Sequence, residues 1–401
     1  MNEPIAVAHL ITKLELGGAQ QNTLFTVSHL SRDRFRPMLL TGEPGLLDAE
    51  AAALPGVAFY QVPSMVRPIN PLMDLLALMA LTRLLAKLKP AIVHTHSSKA
   101  GILGRVAAKL AGVPVIVHSI HGFGFTPAHG PLARRFLVTL ERLAARVTTG
   151  FIAVSEANRR QGVALGLFSA DRCTVVRSGI DLDLFRNVRV SRPAKRRELG
   201  LDQNRPVVGM IAPFKPQKAP LDFVRMAALV QEGRPDAQFL LVGDGELRSA
   251  VEAEIAKLGL AGSVHVAGWR RDIPDVMHCL DVLVLTSRWE GLPRVYLEAL
   301  ASGVPVVGTR VDGAAEVIHD GVNGYLVEPG DVRGLAERVL SLLDRPEEAA
   351  RMGQAGRSLP GEFDIHEMVR QQERAYEQWL AATRNEKSLS RAAAYGTPTK
   401  K

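Results

Sequence analysis

Two glutamates, Glu290 and Glu298, flank the run Gly291-Leu292-Pro293-Arg294-Val295-Tyr296-Leu297. Carboxylates accept paired hydrogen bonds from neighbouring hydroxyls, the pattern that a sugar or a ribose presents. Pro293 suits the first turn of a helix, which puts Glu290 in a strand-end loop and Glu298 on the helix behind it. The free N–H groups of that helix start, around Gly291, Leu292 and Arg294, suit phosphate or polar sugar atoms. Lys218, in Pro213-Phe214-Lys215-Pro216-Gln217-Lys218, offers a point charge of the kind that holds a diphosphate. Gly17-Gly18 opens a helix after the first strand, where paired glycines let backbone N–H groups approach an anion. Each feature also has an ordinary reading: a surface acid, a solvated lysine, a packing glycine.

His121 lies in Val117-His118-Ser119-Ile120-His121-Gly122, at another strand end, where it reads as a hydrogen-bond donor or proton handler facing a cleft. His94 and His96 alternate on one strand and share a face. The sequence places no third ligand beside them, so no metal is expected. Asp181-Leu182-Asp183 matches the Asp-x-Asp pattern that holds Mn²⁺ or Mg²⁺ in one class of sugar transferases; its place before a linker makes it a loop entering a hinge instead. Gly243-Asp244-Gly245-Glu246 lacks the third glycine and the downstream acid of a dinucleotide fingerprint, which argues against an NAD enzyme. Cys173 and Cys279 stand far apart with no paired ligands, which argues against a disulfide framework or a cysteine zinc site and for a reducing cytoplasm.

These turns need strands and helices to carry them, and the chain alternates the two throughout. Strand patterns fall at Ile5–Ile11, Pro37–Thr41, Ala91–Thr95, Val113–Ser119 and Phe151–Val154, then at Val207–Ile211, Gln238–Val242, Val264–Ala267, Val282–Thr286 and Val304–Gly308. Helical patterns such as Ala19–Ser31, Leu132–Arg146, Leu221–Gln231 and Leu247–Lys257 lie between them. Such alternation predicts α/β architecture: two Rossmann-like domains, each with a parallel sheet covered on both faces. The polar stretch Asn187–Arg205 reads as the linker. The expected organisation is therefore 1–186 and 187–364, a C-terminal helix over 365–387 and a disordered tail over 388–401. Ligands of wound sheets bind at the carboxyl ends of strands, where every turn above sits.

The composition is globular: 47% apolar and 22% charged among 401 residues. That excludes wholesale disorder and a polytopic membrane protein. The acidic start does not read as a signal peptide. Leu72–Leu88 is rich in Leu, Met and Ala but carries Asp74, Arg83 and Lys87, so it reads as a buried amphipathic helix, with an interfacial membrane helix as the alternative. Net charge is +8, and its distribution is uneven: residues 1–180 hold 19 basic and 10 acidic side chains, while the remainder is almost neutral. Such a half suits nucleic acid, an anionic membrane or phosphorylated substrates. With 5% aromatics and no recognition motif, a nucleic-acid-binding protein is the distant alternative.

Taken together, these motifs resemble the retaining family 4 glycosyltransferases. The specific part is Glu290 to Glu298 with its continuation Ala299-Leu300-Ala301-Ser302-Gly303-Val304-Pro305-Val306-Val307, followed by Asp312-Gly313-Ala314-Ala315-Glu316 and Gly321-Val322-Asn323-Gly324. His94-Thr95-His96-Ser97-Ser98-Lys99-Ala100-Gly101 and His118 to Gly122 look like the bacterial polysaccharide and lipopolysaccharide branch. The resemblance implies the GT-B fold, with two facing domains and a C-terminal helix returning to the first. It implies that Glu290 contacts donor-sugar hydroxyls and Glu298 the ribose, and that Lys218 and the Gly17 and Gly18 amides hold the diphosphate. It places His121, with His96 beside it, on the acceptor side. Trp269 to Arg271 would line the base pocket. Departures are Pro213 where an arginine is common, Ala219 for glycine, Gln20 for an acid and Ser178 for asparagine.

The expected activity is retaining glycosyl transfer from a nucleotide sugar, UDP-linked, to a lipid-linked or saccharide acceptor. No cofactor is needed. The expected place of action is the cytoplasm, at the inner face of the plasma membrane, where an anionic acceptor or surface would meet the basic half. A sugar-nucleotide epimerase of the same fold is the nearer alternative.

Overall fold

A computed structural model of the chain describes residues 3–125 and 130–395. The chain divides into two units, residues 1–177 with 366–401, and residues 178–365.

The first unit is a seven-stranded sheet in which all registered pairs are parallel. Its strands are β1 (Ile5–Ile11), β2 (Phe35–Thr41), β3 (Ala58–Gln61), β4 (Ile92–His96), β5 (Val115–Ile120), β6 (Gly150–Ala153) and β7 (Cys173–Val175), in the order β3-β2-β1-β4-β5-β6-β7. The helices are α1 (Gly18–His29), α2 (Asp48–Ala52), α3 (Pro71–Leu88), α4 (Ser98–Leu110), α5 (Pro131–Ala145) and α6 (Glu156–Ala164). Central strands are covered on both faces, and β4 and β5 are buried at every residue, their polar His94, Thr95, His96, His118 and Ser119 included. One core layer joins Leu10, Leu40, Val93 and Ile116 to Leu81, Leu85 and Ala107 of the helices. Strand order reverses between β1 and β4, so the helices that follow them, α1 and α4, pack on opposite faces of the sheet.

The second unit begins with α7 (Leu182–Arg186) and α8 (Arg192–Glu198). Its six strands are β8 (Val207–Ile211), β9 (Gln238–Val242), β10 (Val264–Gly268), β11 (Val282–Leu285), β12 (Val306–Thr309) and β13 (Gly324–Val327), in the order β10-β9-β8-β11-β12-β13, again with parallel pairs. The reversal here lies between β8 and β11. Helices α9 (Pro220–Gly233), α10 (Arg248–Lys257), α11 (Ile273–Met277), α12 (Arg294–Ser302), α13 (Val332–Asp344) and α14 (Pro346–Gly356) cover it, and α15 (Ile365–Tyr395) closes the chain. Phe223, Val230, Leu240, Leu283, Val307 and Val339 lie in its interior.

Three expectations need correction. The boundary falls after Arg177, not Arg186, because Ile180 pairs with Asp364 and α7 packs on α12, both within the second unit. The stretch 187–205 is not a linker. Within it α8 docks by Arg196, 4% exposed, whose guanidinium donates to the Cys279 carbonyl at 2.8 and 3.0 Å and to Asp281 at 2.7 Å. The Ala-rich segment after 388 continues α15 as helix to Tyr395, and the tail's last residues, 396–401, lie outside the described residues.

From His366 onward α15 belongs to the first unit. Glu373 accepts the Ser31 N–H at 2.7 Å, Gln372 donates to Thr26 Oγ1 at 3.3 Å, and Trp379 lies where any side chain on Gly150 would stand. Both cysteines are free and buried. Among the described residues no helix is long and apolar enough to cross a membrane.

Candidate active site

In the second unit, the reversal between β8 and β11 brings the loop after β8 against the loop after β11. The first carries Lys218, the second Glu290. Arg288 N–H donates to the Gln217 carbonyl at 2.8 Å, and Gln217 Nε2 to the Trp289 carbonyl at 2.9 Å. Thr286 Oγ1 contacts the carbonyls of Lys218 and Ala219 at 2.7 and 2.9 Å. With both loops held, the Lys218 ammonium bonds directly to the Glu290 carboxylate. The same carboxylate accepts the Ser287 hydroxyl at 2.6 Å, and the Glu290 N–H donates to Asp312 Oδ2 at 2.7 Å. Glu290 is 8% exposed, so this is a desolvated ion pair with its geometry set from three sides.

Behind it, α12 starts at Arg294, with Pro293 as the extended residue before it and no side chain capping the turn. Pro293 is therefore the residue before the helix and not, as the sequence predicts, in its first turn. Gly291 fixes the loop through its carbonyl, which accepts the Gly313 N–H at 3.1 Å, and Leu292 is buried. Glu298 lies 4.0 Å from Arg294 on the same helix face. Burial pushes the Glu298 carboxyl up, against the opposing pull of Arg294. Arg271 is exposed in the loop after β10.

Gly243 and Gly245 serve this site structurally. A Cβ on Gly243 would stand 2.0 Å from the Ala212 carbonyl, and Asp244 accepts the Phe214 N–H at 2.8 Å, so the turn is pressed against the Lys218 loop.

In the first unit, the reversal sits between β1 and β4. Gly17 precedes α1 in extended conformation with no side-chain cap, and Gln20 Oε1 would meet a Cβ on Gly17 at 2.7 Å. Thr12 and Ser97, at the ends of β1 and β4, share a hydrogen bond of 2.9 Å. His121 follows β5, and its Nε2 lies 3.1 Å from His96 Nδ1. His96 itself is 3% exposed, with its other nitrogen on His9, so it does not face an acceptor; it backs His121. Burial pushes His121 down to about 4.

The strand register also corrects the metal reading. His9 on β1 stands beside His94 on β4, and ring nitrogens of His9, His94 and His96 all lie within 4.8 Å of one another. A third imidazole is thus present, although these nitrogens already bond one another, Tyr376 and Ser119. Asp181 caps α7, accepting the Leu184 N–H at 3.0 Å, which is the reason for an aspartate at that position. Sequence reasoning passed over Ser287 and Asp312 as site residues, and over His9 and Tyr376 entirely. The Asp312-Gly313 pair was visible as a motif; the others carry no local signal.

Comparison with known proteins agrees across most of the chain. Residues 16–184 match the family described as Glycosyltransferase Family 4, and residues 191–359 match Glycosyl transferases group 1. The chain is 33% identical over 343 residues to the UDP-Gal:alpha-D-GlcNAc-diphosphoundecaprenol alpha-1,3-galactosyltransferase of Escherichia coli, covering 85% of this chain and 88% of that one. It is 26% identical to the capsular polysaccharide biosynthesis glycosyltransferase CapM of Staphylococcus aureus, over 73% of this chain and 78% of CapM. Among solved structures, Anabaena HepE in complex with UDP-glucose superposes with a TM-score of 0.79 at 25% identity, over 93% of this chain and 100% of HepE.

Proposed function

The chain belongs to the family 4 glycosyltransferases, retaining enzymes of the GT-B fold, and on that premise we propose that it moves a hexosyl group from a UDP-sugar to a saccharide carried on a polyprenyl diphosphate. The observation that carries this reading is the Lys218–Glu290 pair, buttressed by Ser287 and Asp312 at the carboxyl ends of β8 and β11. A donor diphosphate beside Lys218 competes for its ammonium and frees Glu290 to accept sugar hydroxyls. Glu298 takes the ribose hydroxyls, and the N–H groups at the start of α12 meet phosphate oxygens.

When the bond from C1 to the diphosphate oxygen breaks, its electron pair stays on that oxygen. Lys218 and the helix N-termini stabilise the charge as it develops. The acceptor oxygen bonds C1 on the face just vacated, which retains configuration, and its proton passes to the departing diphosphate oxygen. His121 serves on the acceptor side. The match to a relative that acts on a diphosphoundecaprenol-linked sugar supports a lipid-linked acceptor.

The surface of the first unit supports action at a membrane. Leu72 on α3 and Leu132 on α5 are 67% and 84% exposed, and Phe136 is exposed beside Arg134 and Arg135. Exposed apolar side chains with cationic ones beside them suit an anionic bilayer surface. Flotation with phosphatidylglycerol vesicles should carry the protein more strongly than neutral vesicles do, and Arg134→Ser with Arg135→Ser should abolish the difference. Equal flotation on both lipids would remove the electrostatic part of this reading.

The activity itself is tested with a panel of UDP-sugars and a short polyprenyl-diphosphate N-acetylglucosamine acceptor, followed by mass spectrometry and anomeric coupling constants. One UDP-sugar should give an α-linked disaccharide lipid. Conversion of the donor with no acceptor present would favour the epimerase instead.

A further inference from the structure

We propose that His9, His94 and His96, with the Tyr376 hydroxyl, form a closed structural site for one zinc ion in the first unit. The sheet brings the three imidazoles together. β1 and β4 are neighbours with His9 level with His94, and His96, two residues on, shares that face. One nitrogen from each of the three lies within 4.8 Å of the others. His9 Nδ1 and His96 Nε2 are 3.1 Å apart. Two nitrogens bound to a tetrahedral zinc at about 2.0–2.1 Å stand about 3.3 Å apart, so this pair needs only a small adjustment. The C-terminal helix adds an oxygen: the Tyr376 hydroxyl lies 2.6 Å from His94 Nδ1 and 3.3 Å from His9 Nε2.

The outer nitrogens point to the inner ones as ligands. A ligating histidine ordinarily bonds a protein partner through its other ring nitrogen, which fixes the ring. His94 has such a partner at Nε2, 2.7 Å from Ser119 Oγ, and His96 has one at Nδ1, 3.1 Å from His121 Nε2. That leaves His94 Nδ1 and His96 Nε2 turned towards Tyr376 and His9. The hydrogen bonds among these inner atoms do not forbid ligation. A neutral hydrogen bond adds little net stability, whereas a structural zinc supplies folding energy outright. Burial favours the neutral imidazole, the form with a lone pair to give. On ligation the phenol proton of Tyr376 leaves to solvent, because a bound cation reverses the effect of burial on an acidic ligand.

Three nitrogens and one oxygen suit zinc. His9, His94 and Tyr376 have no exposed surface and His96 only 3%, so no position is open to a substrate and the ion enters as the strands assemble. Its effect is to tie β1 and β4 to α15. Protons compete with zinc for these nitrogens, so the loaded site, like the metal-free one, is stable at neutral pH and lost in acid.

The test uses the full, untagged chain grown with zinc in the medium and washed with EDTA. Metal analysis should find one zinc per chain, and X-ray absorption at the zinc edge should show imidazole ligands at about 2.0–2.1 Å. His9→Gln should lose the ion. His29→Ala should keep it, since His29 and His366, exposed with ring centres 5.5 Å apart, are the surface pair that could hold zinc adventitiously. Tyr376→Phe keeps all three imidazoles and should raise the zinc Kd about 10–100-fold in competition with a chelator. Protein from zinc-depleted medium should melt about 5–10 °C lower, the shift that a ligand at a hundredfold excess over its Kd gives a unit of this size. A wild-type chain without zinc overturns the proposal, as does zinc that His29→Ala removes or that His9→Gln leaves in place. An unchanged Kd in Tyr376→Phe overturns the four-ligand site. Should His9→Gln fail to fold, the metal content and absorption spectrum of the wild-type chain decide alone. None of these readouts depends on transfer, so an inactive chain holding one buried zinc would refute the assigned function and leave the site intact.

Discussion

Lys218 and Glu290 neutralise one another, so the two residues report on different parts of the reaction. Lys218→Ala removes the cation meant for the developing diphosphate charge and should lower kcat about 10²–10³-fold, as loss of a charge-stabilising donor does elsewhere. Release of UDP under saturating donor measures it, and a change confined to KM would mean that Lys218 only binds. Asp312 gives a subtler test. It holds the Glu290 N–H at 2.7 Å from a left-handed backbone, φ 36°, that asparagine tolerates better than alanine. Asp312→Asn keeps both the acceptor and the conformation and should turn over near the wild-type rate, whereas Asp312→Ala should fall about tenfold, the worth of about 1.4 kcal/mol. Equal losses would show that the Asp312 charge matters and not its bond. Glu290, Glu298 and Lys218 were legible in the sequence because a strand-end loop and a helix start leave local patterns. Ser119, His9 and Tyr376 were not, because only the adjacency of β1, β4, β5 and α15 gives them meaning.

At the scale of elements, the sequence showed the central strands and missed β3, β7 and β13, three of the four sheet edges. An edge strand is covered on fewer sides and needs no continuous apolar run: β3 reads Ala-Phe-Tyr-Gln and buries none of its residues fully. The linker was misread for the opposite reason, since Lys195 and Arg196 look solvated in sequence yet are buried against Asp272 and Asp281. One departure from the family pattern is an element-level matter. Ala219, where glycine is common, ends the Lys218 turn at φ 45° and ψ 53°. An L-residue in that region costs about 1–2 kcal/mol, against which glycine loses more chain entropy on folding. Ala219→Gly should therefore raise stability by about 1 kcal/mol, seen as a higher denaturant midpoint with unchanged slope. Donor affinity should not change, because Thr286 contacts only the backbone carbonyls of the turn. A lower midpoint would mean that the turn is not strained.

On the scale of the whole molecule, the two units carry different acid sensitivities. Five histidines of the first unit, His9, His94, His96, His118 and His121, have pKa values lowered by burial, His9 to about 3 and His121 to about 4. Unfolded, each would titrate near 6.5. The folded state then binds fewer protons than the unfolded one below that pH. Stability from these groups is complete above 6.5 and is lost as pH falls towards 4 and 3. For His9 alone the loss between pH 7.5 and 5 is about 2 kcal/mol. In the second unit the depressed groups are carboxylates such as Asp272, held down mainly by Arg270 and also by Lys195. Their contribution is complete above the ordinary aspartate value and begins to fail only below about 4. His265 and His278, the second unit's lowered histidines, are only part-buried and weigh less. At pH 5, then, the first unit has lost stability that the second has kept. Hydrogen exchange at pH 7.5 and pH 5, corrected for intrinsic rates, should show β1, β4 and β5 losing protection while β8, β9 and β11 hold theirs. Equal loss in both sheets would mean that the histidine core takes up protons without unfolding, or that the two units open together.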